Sequence, residues 1–456
     1  MKTVLIIAGS DPGAGAGLQQ DLKVTTLLGA YGLTVVTALT VQNTQGVTAV
    51  HPVAPEVVAA QLEAVLSDFP VAAVKVGMLA TAELIHLVAE RLKTLNGIPL
   101  VLDPVLAAGG GFPLLTAGGI ARITEELFPL TYLLTPNAPE AAHLSGIEVN
   151  TPTDLAEAAR RLQAMGPRWV LAKGGHLPGE PVDVLTDGNN VYSFPGVRLA
   201  APNHHGSGCL LASAAAASLA QGASMPEAVN RARDLTAQAL KYGLPLGGGA
   251  GPVNPYAPFA REMARVEVLT ALQTAVARLK KEDILPLIPE VMSNLGYATP
   301  YPEGPQDVAA FPGHIQCGPQ GLLIPALPAF GASRRLSAVI LTVMATHPDL
   351  RSAMNIKFFE GIDELAPLLH LQAASFDRGA EPTEVKAQEG GTLAWGVASV
   401  LKPGQPPPDL IVDPGAFGKE PMIHILGPNP MSVAEKALAL RNALQVAGKL
   451  KAIKQA

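Results

Sequence analysis

The chain has few cysteines, few aromatic residues and few charged residues. Its 456 residues include only two cysteines, Cys209 and Cys317, which excludes a disulfide framework and a paired-cysteine metal site. Aromatic residues make up 4% of the chain and charged residues 15%, whereas 48% of the residues are hydrophobic. That hydrophobic content excludes a disordered chain. An interior built from Ala, Gly, Val and Leu favours closely packed α/β layers.

A basic excess and long apolar runs are also missing. The 32 Lys and Arg residues are outnumbered by 38 Asp and Glu residues, which gives a formal net charge of −6. This balance excludes the basic surface typical of a nucleic-acid-binding protein. No apolar run approaches the roughly 20 residues of a membrane span. The first apolar run meets a turn at Gly9, too early for a signal peptide. We therefore expect a cytoplasmic protein with neither a nucleic-acid nor a membrane partner.

Short apolar runs alternate with helical patterns through the first half. Thr3–Ala8 and Leu100–Val105 are typical of buried strands, and Pro55–Phe69 has the periodicity of a helix. Strands that alternate with helices indicate right-handed crossover units and a parallel sheet. The sequence therefore predicts an α/β fold with a parallel-rich sheet and flanking helices.

The length predicts two or three domains, at about 150 residues each. A stretch rich in Gly and Pro, Gly243–Pro258, is typical of a loop that closes a domain. A new helical pattern begins at Val266, and strand-like runs alternate with helices again after it. We predict a first domain over 1–262 and a second, smaller α/β domain over 263–456.

The segment from Gly206 to Cys209 runs directly into a helix rich in small residues. The first turn of a helix has unpaired N–H groups and a partial positive charge, so it attracts anions. Cys209 falls in that turn, where the pKa of a thiol is expected to fall. An anion site beside an ionisable group suggests phosphoryl transfer. The alternative is a glycine-capped core helix with a buried structural cysteine.

Polar residues follow the strand-like runs, where ligands bind in parallel sheets. Asp103 and Glu140 are suited to hold Mg²⁺ through water, and Lys173 is suited to neutralise a transferring phosphoryl group. Asn137 precedes Glu140 by three positions, and a simple helix-capping box is the alternative explanation for this pair.

The glycine loop after the first strand, Gly9–Gly17, matches neither of the common phosphate-binding motifs. It does not keep the G-x-G-x-x-G spacing, and the chain has no G-x-x-x-x-G-K-[ST] motif. The loop either lets a small ligand approach the backbone or forms a tight turn.

These stretches together match a known family. The motifs are Gly9-Ser10-Asp11-Pro12, Asp21-Leu22-Lys23, Gln42-Asn43-Thr44, Lys75-Val76-Gly77-Met78-Leu79, Leu102-Asp103-Pro104-Val105, Thr135-Pro136-Asn137 with Glu140, Lys173-Gly174-Gly175-His176 and Gly206-Ser207-Gly208-Cys209. They resemble the hydroxymethylpyrimidine/phosphomethylpyrimidine kinase family of thiamin synthesis over about residues 1–262. The resemblance implies a ribokinase-like fold. It also implies ATP-dependent phosphorylation of 4-amino-5-hydroxymethyl-2-methylpyrimidine and then of its monophosphate.

The resemblance also implies roles for single residues. Cys209 would be the base at the substrate hydroxyl, and the backbone of Gly206, Ser207, Gly208 and Cys209 would stabilise the transferring phosphoryl group. The pyrimidine site would be lined by Gly9, Asp21, Gln42 and Met78. Asn137 and Lys173 would bind ATP, and Asp103 and Glu140 would bind Mg²⁺. One departure is Ala108-Gly109-Gly110-Gly111-Phe112, where the family commonly has Ala-Lys-Ser-Gly-Asp; a phosphate-holding lysine is missing, and we expect a floppier lid.

The residues of the second half do not by themselves name a reaction. Lys419, in Gly418-Lys419-Glu420-Pro421, either binds phosphate or lies in an ordinary hairpin. Other matching stretches are Asp307-Val308-Ala309-Ala310, Phe330-Gly331-Ala332-Ser333, Ala353-Met354-Asn355-Ile356, Ser375-Phe376-Asp377-Arg378, Glu389-Gly390-Gly391-Thr392 and Trp395-Gly396-Val397. With them, the half resembles the thiamin-phosphate synthase domain found fused behind such kinases, chiefly in archaea. That domain joins the pyrimidine diphosphate to thiazole phosphate and releases pyrophosphate.

The second half departs from its family at two catalytic positions. The family's Pro-Gly-Arg is Pro312-Gly313-His314 here, and its Gly-Ala-Ser-Ser-His is Gly331-Ala332-Ser333-Arg334-Arg335, so His314 and Arg335 are exchanged in place. The family's Asp-Arg-Gly-Asp is also replaced by Asp-Pro-Gly-Ala at 413–416. We expect His314 and Arg335 to compensate at one diphosphate, with Asn355 and Lys419 binding substrate. Arg and His are not interchangeable, so the alternative is a non-catalytic regulatory module that binds thiamin phosphate.

The partners are small molecules, namely the pyrimidine alcohol and its phosphate, ATP and thiazole phosphate, and the protein is expected to be a homo-oligomer. A less favoured alternative makes the first domain a pyridoxal kinase, because related folds phosphorylate that ring.

Overall fold

The chain forms two compact units, Met1–Pro258 and Phe259–Ala456. The computed structural model describes residues 1–107, 111–115, 117–386, 391–402, 404–416 and 418–446. The change of unit falls within the short helix Ala257–Met263, which also contains position 262, the last residue of the first domain expected from the sequence. No helix among the described residues has the length and apolar character needed to cross a membrane.

The first unit contains a mixed sheet of nine strands within the described residues. The strands are β1 (Thr3–Ser10), β2 (Tyr31–Asn43), β3 (Gly46–Pro52), β4 (Ala73–Val76), β5 (Leu100–Leu102), β6 (Leu133–Leu134), β7 (Trp169–Ala172), β8 (Val182–Thr186) and β9 (Val191–Pro195). Their order across the sheet is β3-β2-β1-β4-β5-β6-β7-β8-β9. The six neighbouring strands β2-β1-β4-β5-β6-β7 run parallel to one another, which confirms the parallel-rich α/β fold.

Helices cover the faces of this sheet. They are α1 (Gly17–Leu27), α2 (Pro55–Asp68), α3 (Ala82–Leu92), α4 (Ala117–Arg122), α5 (Ala138–Ser145), α6 (Pro152–Ala164), α7 (Ser207–Ala220) and α8 (Met225–Lys241). Helix α7 packs against α1, α8 and strands β4 and β5. Ten of its fourteen residues are buried, because small Ala side chains let neighbouring elements approach on all sides.

The sheet edges differ from the sequence expectation. Strands β3, β8 and β9 do not correspond to any predicted strand, and each pairs antiparallel with its neighbour. Strand β9 is mostly exposed, so its sequence lacks the buried apolar run that identifies the central strands.

The second unit is a smaller α/β fold around a seven-stranded sheet, again counted over the described residues. The described strands of the unit, including two outside this sheet, are β10 (Leu295–Ala298), β11 (Val308–Ala310), β12 (Gln316–Gly318), β13 (Gly321–Leu323), β14 (Ala329–Phe330), β15 (Ser352–Lys357), β16 (Ala373–Ser375), β17 (Leu410–Asp413) and β18 (Met422–Gly427). The sheet order is β14-β11-β10-β15-β18-β17-β16, and β12 and β13 form a separate hairpin. Only the β16–β17 pair is parallel in the described part of this sheet.

Helices also flank the second sheet. After α9 (Ala257–Met263) they are α10 (Arg265–Lys281), α11 (Arg334–Met344), α12 (Ile362–Leu368), α13 (Thr383–Lys386), α14 (Gly391–Val400) and α15 (Pro430–Val446). Two apolar clusters form the core of the unit: one packs α10 and α15 against the sheet, and the other packs α11 and α14. The helical pattern predicted to begin at Val266 is confirmed, because α10 begins at Arg265.

Candidate active site

The first unit has a large cavity, open to solvent, at the carboxyl ends of its parallel strands. The cavity has a volume of about 1610 Å³, which is larger than most small-molecule sites. The predicted site residues that line it are Gly9, Gln42, Met78, Asp103, Asn137, Glu140, Lys173, Gly206, Ser207, Gly208 and Cys209. The chain topology brings these residues together because parallel strands end at one edge of a sheet. Asp103 directly follows β5, for example, and Lys173 directly follows β7.

The start of helix α7 forms one wall of the cavity. Gly206 has a φ of +84°, and a Cβ there would lie 1.7 Å from the carbonyl oxygen of Gly15, so only glycine fits. A Cβ on Gly208 would lie 3.4 Å from Lys173 Nζ and 3.5 Å from Asp103 Oδ2. The N–H groups of Gly208 and Cys209 belong to the first helical turn, which has no intrahelical acceptor for them. The wall therefore combines anion-binding N–H groups with a nearby ammonium group.

Cys209 does not have the lowered pKa expected from the sequence. Burial raises the pKa of its thiol to about 12. Lys75 lowers this pKa, whereas the negative charges of Asp21 and Asp103 raise it. The prediction of a thiolate at the helix start is therefore wrong, because the desolvation of the sulfur outweighs the helix N-terminus.

Asp21 lies behind the cavity wall and is not among the residues that line it. Its Oδ2 is 2.6 Å from Lys75 Nζ, its Oδ1 accepts a hydrogen bond from Ser213 Oγ at 2.7 Å, and it is completely buried. Lys75 does line the cavity, although the sequence analysis gave it no role. The structure therefore gives Asp21 a structural partner, Lys75, and its contact with the substrate stays a prediction.

Asp103 and Lys173 form a polar pair beside the start of α7. Lys173 Nζ donates to Asp103 Oδ1 at 3.1 Å, and Thr135 Oγ1 lies 3.2 Å from the same oxygen. Burial lowers the pKa of Lys173, but the charges of Asp103 and Glu140 raise it more, so the amine stays protonated. The ammonium group is suited to bind phosphate oxygens.

Asn137 and Glu140 form the helix-capping box considered as the alternative in the sequence. Glu140 N–H donates to Asn137 Oδ1 at 2.9 Å, and Asn137 N–H donates to Glu140 Oε2 at 2.8 Å. Burial raises the pKa of Glu140 to about 7; Lys173 lowers it, and the charge of Asp103 raises it. Two carboxylates that face one cavity and repel each other fit a divalent cation, because a cation between them removes the repulsion. A capping role and a metal-binding role are therefore compatible at Glu140.

Three of the residues expected to contact a pyrimidine, Gly9, Gln42 and Met78, also line the cavity. A Cβ on Gly9 would lie 3.1 Å from Met78 Sδ, so the two residues pack directly. Thr37 Oγ1 donates to the Met78 carbonyl oxygen at 2.6 Å and fixes the backbone there. Gln42 Nε2 lies 3.1 Å from Nε2 of His205, a residue to which the sequence analysis gave no separate role. Of the altered lid segment, 108–110 lies outside the described residues, so the expected lid behaviour stays a prediction.

Two predicted site residues of the second unit have structural partners. Asn355 Oδ1 accepts from Asn294 N–H at 2.8 Å, and its Nδ2 donates to the Met292 carbonyl at 3.0 Å. Lys419 is exposed and exchanges two backbone hydrogen bonds with Ala416. The ordinary hairpin is therefore present at Lys419, and its amine remains available to a ligand.

His314 and Arg335 follow two paired strands of the second sheet. Strands β11 and β14 are antiparallel, with Ala309 opposite Phe330. His314 follows the carboxyl end of β11, and Arg335 follows the carboxyl end of β14, at the start of α11. Both side chains are exposed. The two residues follow different strands, and the expectation that they face one diphosphate stays a prediction.

Comparison with known families divides the chain in the same way. Residues 11–254 match the sequence model of the phosphomethylpyrimidine kinase family, and residues 271–439 match that of the thiamine-phosphate synthase ThiN family.

Individual proteins resemble the first unit. The chain is 50% identical to the thiamine biosynthesis bifunctional protein ThiED of Geobacter sulfurreducens, over 55% of this chain and 52% of that protein, so it spans about half of that relative. It is 46% identical to a hydroxymethylpyrimidine/phosphomethylpyrimidine kinase of Streptomyces coelicolor, over 55% of this chain and 93% of that protein. A crystal structure of the Bacillus subtilis pyridoxal kinase with ADP has 34% identity and a TM-score of 0.53, covering 57% of this chain and 99% of that one.

These matches agree with the geometry of the cavity and with the ribokinase-like fold. The chain belongs to the phosphomethylpyrimidine kinase family, and its second unit carries a domain of the thiamine-phosphate synthase ThiN family.

Proposed function

We propose that the first unit transfers the γ-phosphoryl group of ATP to 4-amino-5-hydroxymethyl-2-methylpyrimidine and then to its monophosphate. The observation that carries this proposal is the cavity wall where Gly208, Lys173 and Asp103 meet beside Cys209. Phosphoryl transfer depends mainly on positioning and charge stabilisation, and this wall supplies both.

The reaction can be followed on the residues of the chain. The substrate hydroxyl lies beside Cys209 and loses its proton to the minor thiolate form of that side chain, which becomes a thiol as the hydroxyl oxygen bonds to the γ-phosphorus. The bond from that phosphorus to the bridging oxygen breaks, and ADP leaves. The N–H groups of Gly208 and Cys209 and the ammonium of Lys173 stabilise the charge on the transferring group. Mg²⁺, held by Asp103 and Glu140 directly or through water, would add charge neutralisation at the phosphates.

The second unit is proposed to join the resulting pyrimidine diphosphate to thiazole phosphate, with release of pyrophosphate. Its match to the synthase family supports this assignment. The alternative is a regulatory module that binds thiamin phosphate without catalysis, and the exchange of His314 and Arg335 relative to the family motifs favours it. The proposal includes a cytoplasmic homo-oligomer whose partners are these small molecules.

Pyridoxal kinase activity is a second candidate for the first unit. The likeness to the Bacillus subtilis pyridoxal kinase favours it, at 34% identity over nearly all of that protein. Both rings carry a hydroxymethyl group, so the phosphoryl-transfer wall suits either one. The two activities are separated by supplying each alcohol alone.

One assay with the full chain tests these proposals. The chain is incubated with ATP, Mg²⁺ and thiazole phosphate, with either hydroxymethylpyrimidine or pyridoxal, and the products are separated by chromatography. Thiamin phosphate from the pyrimidine supports both units as enzymes. Pyrimidine diphosphate that accumulates without thiamin phosphate contradicts the synthase. Phosphorylation of pyridoxal alone contradicts the pyrimidine kinase.

A further inference from the structure

The two glycine-bearing loops of the first unit meet through Asp11 and His205. Asp11 Oδ1 accepts from Gly13 N–H at 2.8 Å, and Asp11 Oδ2 accepts from Gly15 N–H at 3.1 Å and Ala16 N–H at 2.9 Å. His205 Nε2 lies 3.0 Å from the same Oδ2. A Cβ on Gly15 would lie 2.4 Å from His205 Cδ2, so the glycine makes room for the ring.

This arrangement fixes which atom of His205 carries the proton. Asp11 is almost completely buried, and burial raises the pKa of its carboxyl. The hydrogen bonds from His205, Ala16 and Gly13 lower that pKa by more than burial raises it. The pKa of Asp11 therefore lies below its usual value, and the carboxylate is ionised. An ionised carboxylate only accepts hydrogen bonds. His205 Nε2 therefore carries a hydrogen and donates it to Asp11, whether the ring is neutral or charged.

The same His205 nitrogen faces the side chain of Gln42. The Gln42 amide lies 3.1 Å from His205 Nε2. A nitrogen that carries a hydrogen cannot accept one from an amide NH₂ group, so the amide oxygen is the favourable neighbour of His205. Amide oxygen and nitrogen exchange places by a half-turn of the terminal group. With the oxygen facing His205, the NH₂ group of Gln42 is turned away from the ring.

We infer that His205, oriented by Asp11, is a positioning residue that holds Gln42 with its NH₂ group toward the bound ring, so that the site selects a ring nitrogen with a free lone pair. Gln42 and His205 both line the cavity, as does Met78, another residue expected to contact the pyrimidine. The inference rests on the proposed pyrimidine kinase activity and specifies how the site recognises its substrate. A substrate with an N–H or C–H at that position leaves the amide donor unpaired once the bound ring has displaced water from it, which is costly.

Substrate analogues test this selection in the full chain. The compounds are hydroxymethylpyrimidine and two analogues, in each of which one ring nitrogen is replaced by C–H. For the wild type, we expect one of the two analogues to show a KM at least about 10-fold higher than the pyrimidine, with kcat changed less. This ratio of the two KM values is the discrimination of the site, and in Gln42→Ala it should fall to about one. In His205→Ala, it should fall several-fold, because the freed amide can present either atom.

A double variant separates positioning from independent binding. Because His205 acts through Gln42, His205→Ala added to Gln42→Ala should leave the discrimination where Gln42→Ala alone puts it. The matched control is His51→Ala, an exposed histidine of β3 outside the cavity, which should keep the wild-type discrimination. Full discrimination in His205→Ala, or additive losses in the double variant, overturns the inference.

A second variant covers the case in which His205→Ala does not fold. Gln42→Glu keeps the His205–Asp11 contact but has no NH₂ group, so its KM for the pyrimidine should rise at least about 10-fold. An unchanged KM overturns the inference. If the wild type phosphorylates none of the compounds, the proposed kinase activity fails. The inference is then tested by their dissociation constants in calorimetry, and equal constants for all three overturn it.

Discussion

Lys75 Nζ lies 2.6 Å from Asp21 Oδ2, and neither side chain is exposed to solvent. Ser213 occupies the other carboxylate oxygen of Asp21 at 2.7 Å. Burial lowers the pKa of Lys75, but Asp21, Cys209 and Asp103 raise it well above its usual range, so the ammonium stays charged. A buried charge that loses its partner is strongly destabilising, even where the intact pair adds little.

Asp21→Asn should therefore destabilise the first unit. We expect its free energy of unfolding to fall by about 3–5 kcal/mol, because the Lys75 ammonium is left without a negative partner. Urea denaturation of the full chain measures this loss. The control is Glu63→Gln, which removes an exposed partner of Arg91 at 3.1 Å and should cost about 0–1 kcal/mol. Equal losses in the two variants would show that the buried pair has no special energetic role.

The raised pKa of the Cys209 thiol leads us to expect that the rate of the kinase reaction increases with pH. Because burial raises the pKa of its thiol to about 12, the thiolate is a minor species at neutral pH. If the thiolate is the base, kcat/KM should rise about tenfold per pH unit between pH 7.5 and 9.5. Cys209→Ala should lose this rise and about 100-fold or more of the turnover, while it still binds ATP.

The other cysteine provides the control for this profile. Cys317 is exposed in the second unit, and Cys317→Ser should retain both the rate and its pH dependence. A rate that levels off near pH 8.5, or one that ignores pH, would contradict a base with so high a pKa.

Glu140 makes the stability of the first unit depend on pH. Its pKa is raised to about 7 in the folded protein, from about 4.5 in the unfolded chain. The folded state therefore favours the protonated carboxyl of Glu140. The free energy of unfolding is highest below pH 4.5 and falls as the pH rises toward 7, because only the unfolded chain loses this proton in that range. Glu140→Gln keeps the capping box and removes the titration. Relative to the wild type, the variant should therefore gain up to about 3 kcal/mol between pH 4.5 and 7.5.

Urea denaturation at a series of pH values gives this difference directly. Glu148→Gln is a suitable control, because that side chain also belongs to the first unit but lies outside the cavity. The difference between wild type and Glu140→Gln should be flat above pH 8. A difference that does not change between pH 5 and 7 would refute the raised pKa.

The sequence predicts the cavity residues well where a single rule of topology applies. Asp103 and Lys173 follow strands directly, and parallel neighbours place their carboxyl ends at one edge, so their proximity can be anticipated. The position of Asp21 could not be anticipated in this way. Its burial depends on Lys75, which is far away in sequence and itself resembles an ordinary strand residue.

Properties that depend on burial or on register were missed for physical reasons. A helix start lowers a thiol's pKa, but desolvation raises it, and sequence gives no measure of how deeply Cys209 is buried. The antiparallel pairing of β11 with β14 could not be anticipated either. Strand β14 contains only Ala329 and Phe330, too few residues for a periodic pattern.

Gly206 should tolerate no side chain. Its φ is +84°, and an added Cβ would lie 1.7 Å from the backbone oxygen of Gly15, which is not free to move. Gly206→Ala should therefore destabilise the first unit by more than the roughly 1 kcal/mol of a left-handed alanine and reduce kinase turnover. Gly118→Ala, with open space around an ordinary helical glycine, is the control and should be neutral or stabilising. Equal thermal midpoints for the two variants would contradict the close approach of the two loops.

The placement of His314 and Arg335 predicts how their substitutions combine. His314 follows β11 and Arg335 lies in the first turn of α11, so they belong to different elements, and we expect each to contact its own part of the substrate. His314→Ala and Arg335→Ala should each lower the rate of thiamin phosphate formation, and the free-energy effects should add within about 0.5 kcal/mol in the double variant. The rates are measured with preformed pyrimidine diphosphate, so that the kinase step does not contribute. A double variant no slower than the slower single variant would indicate that the two side chains act as one unit on a shared phosphate. No loss in any of the three variants would favour the regulatory alternative for the second unit.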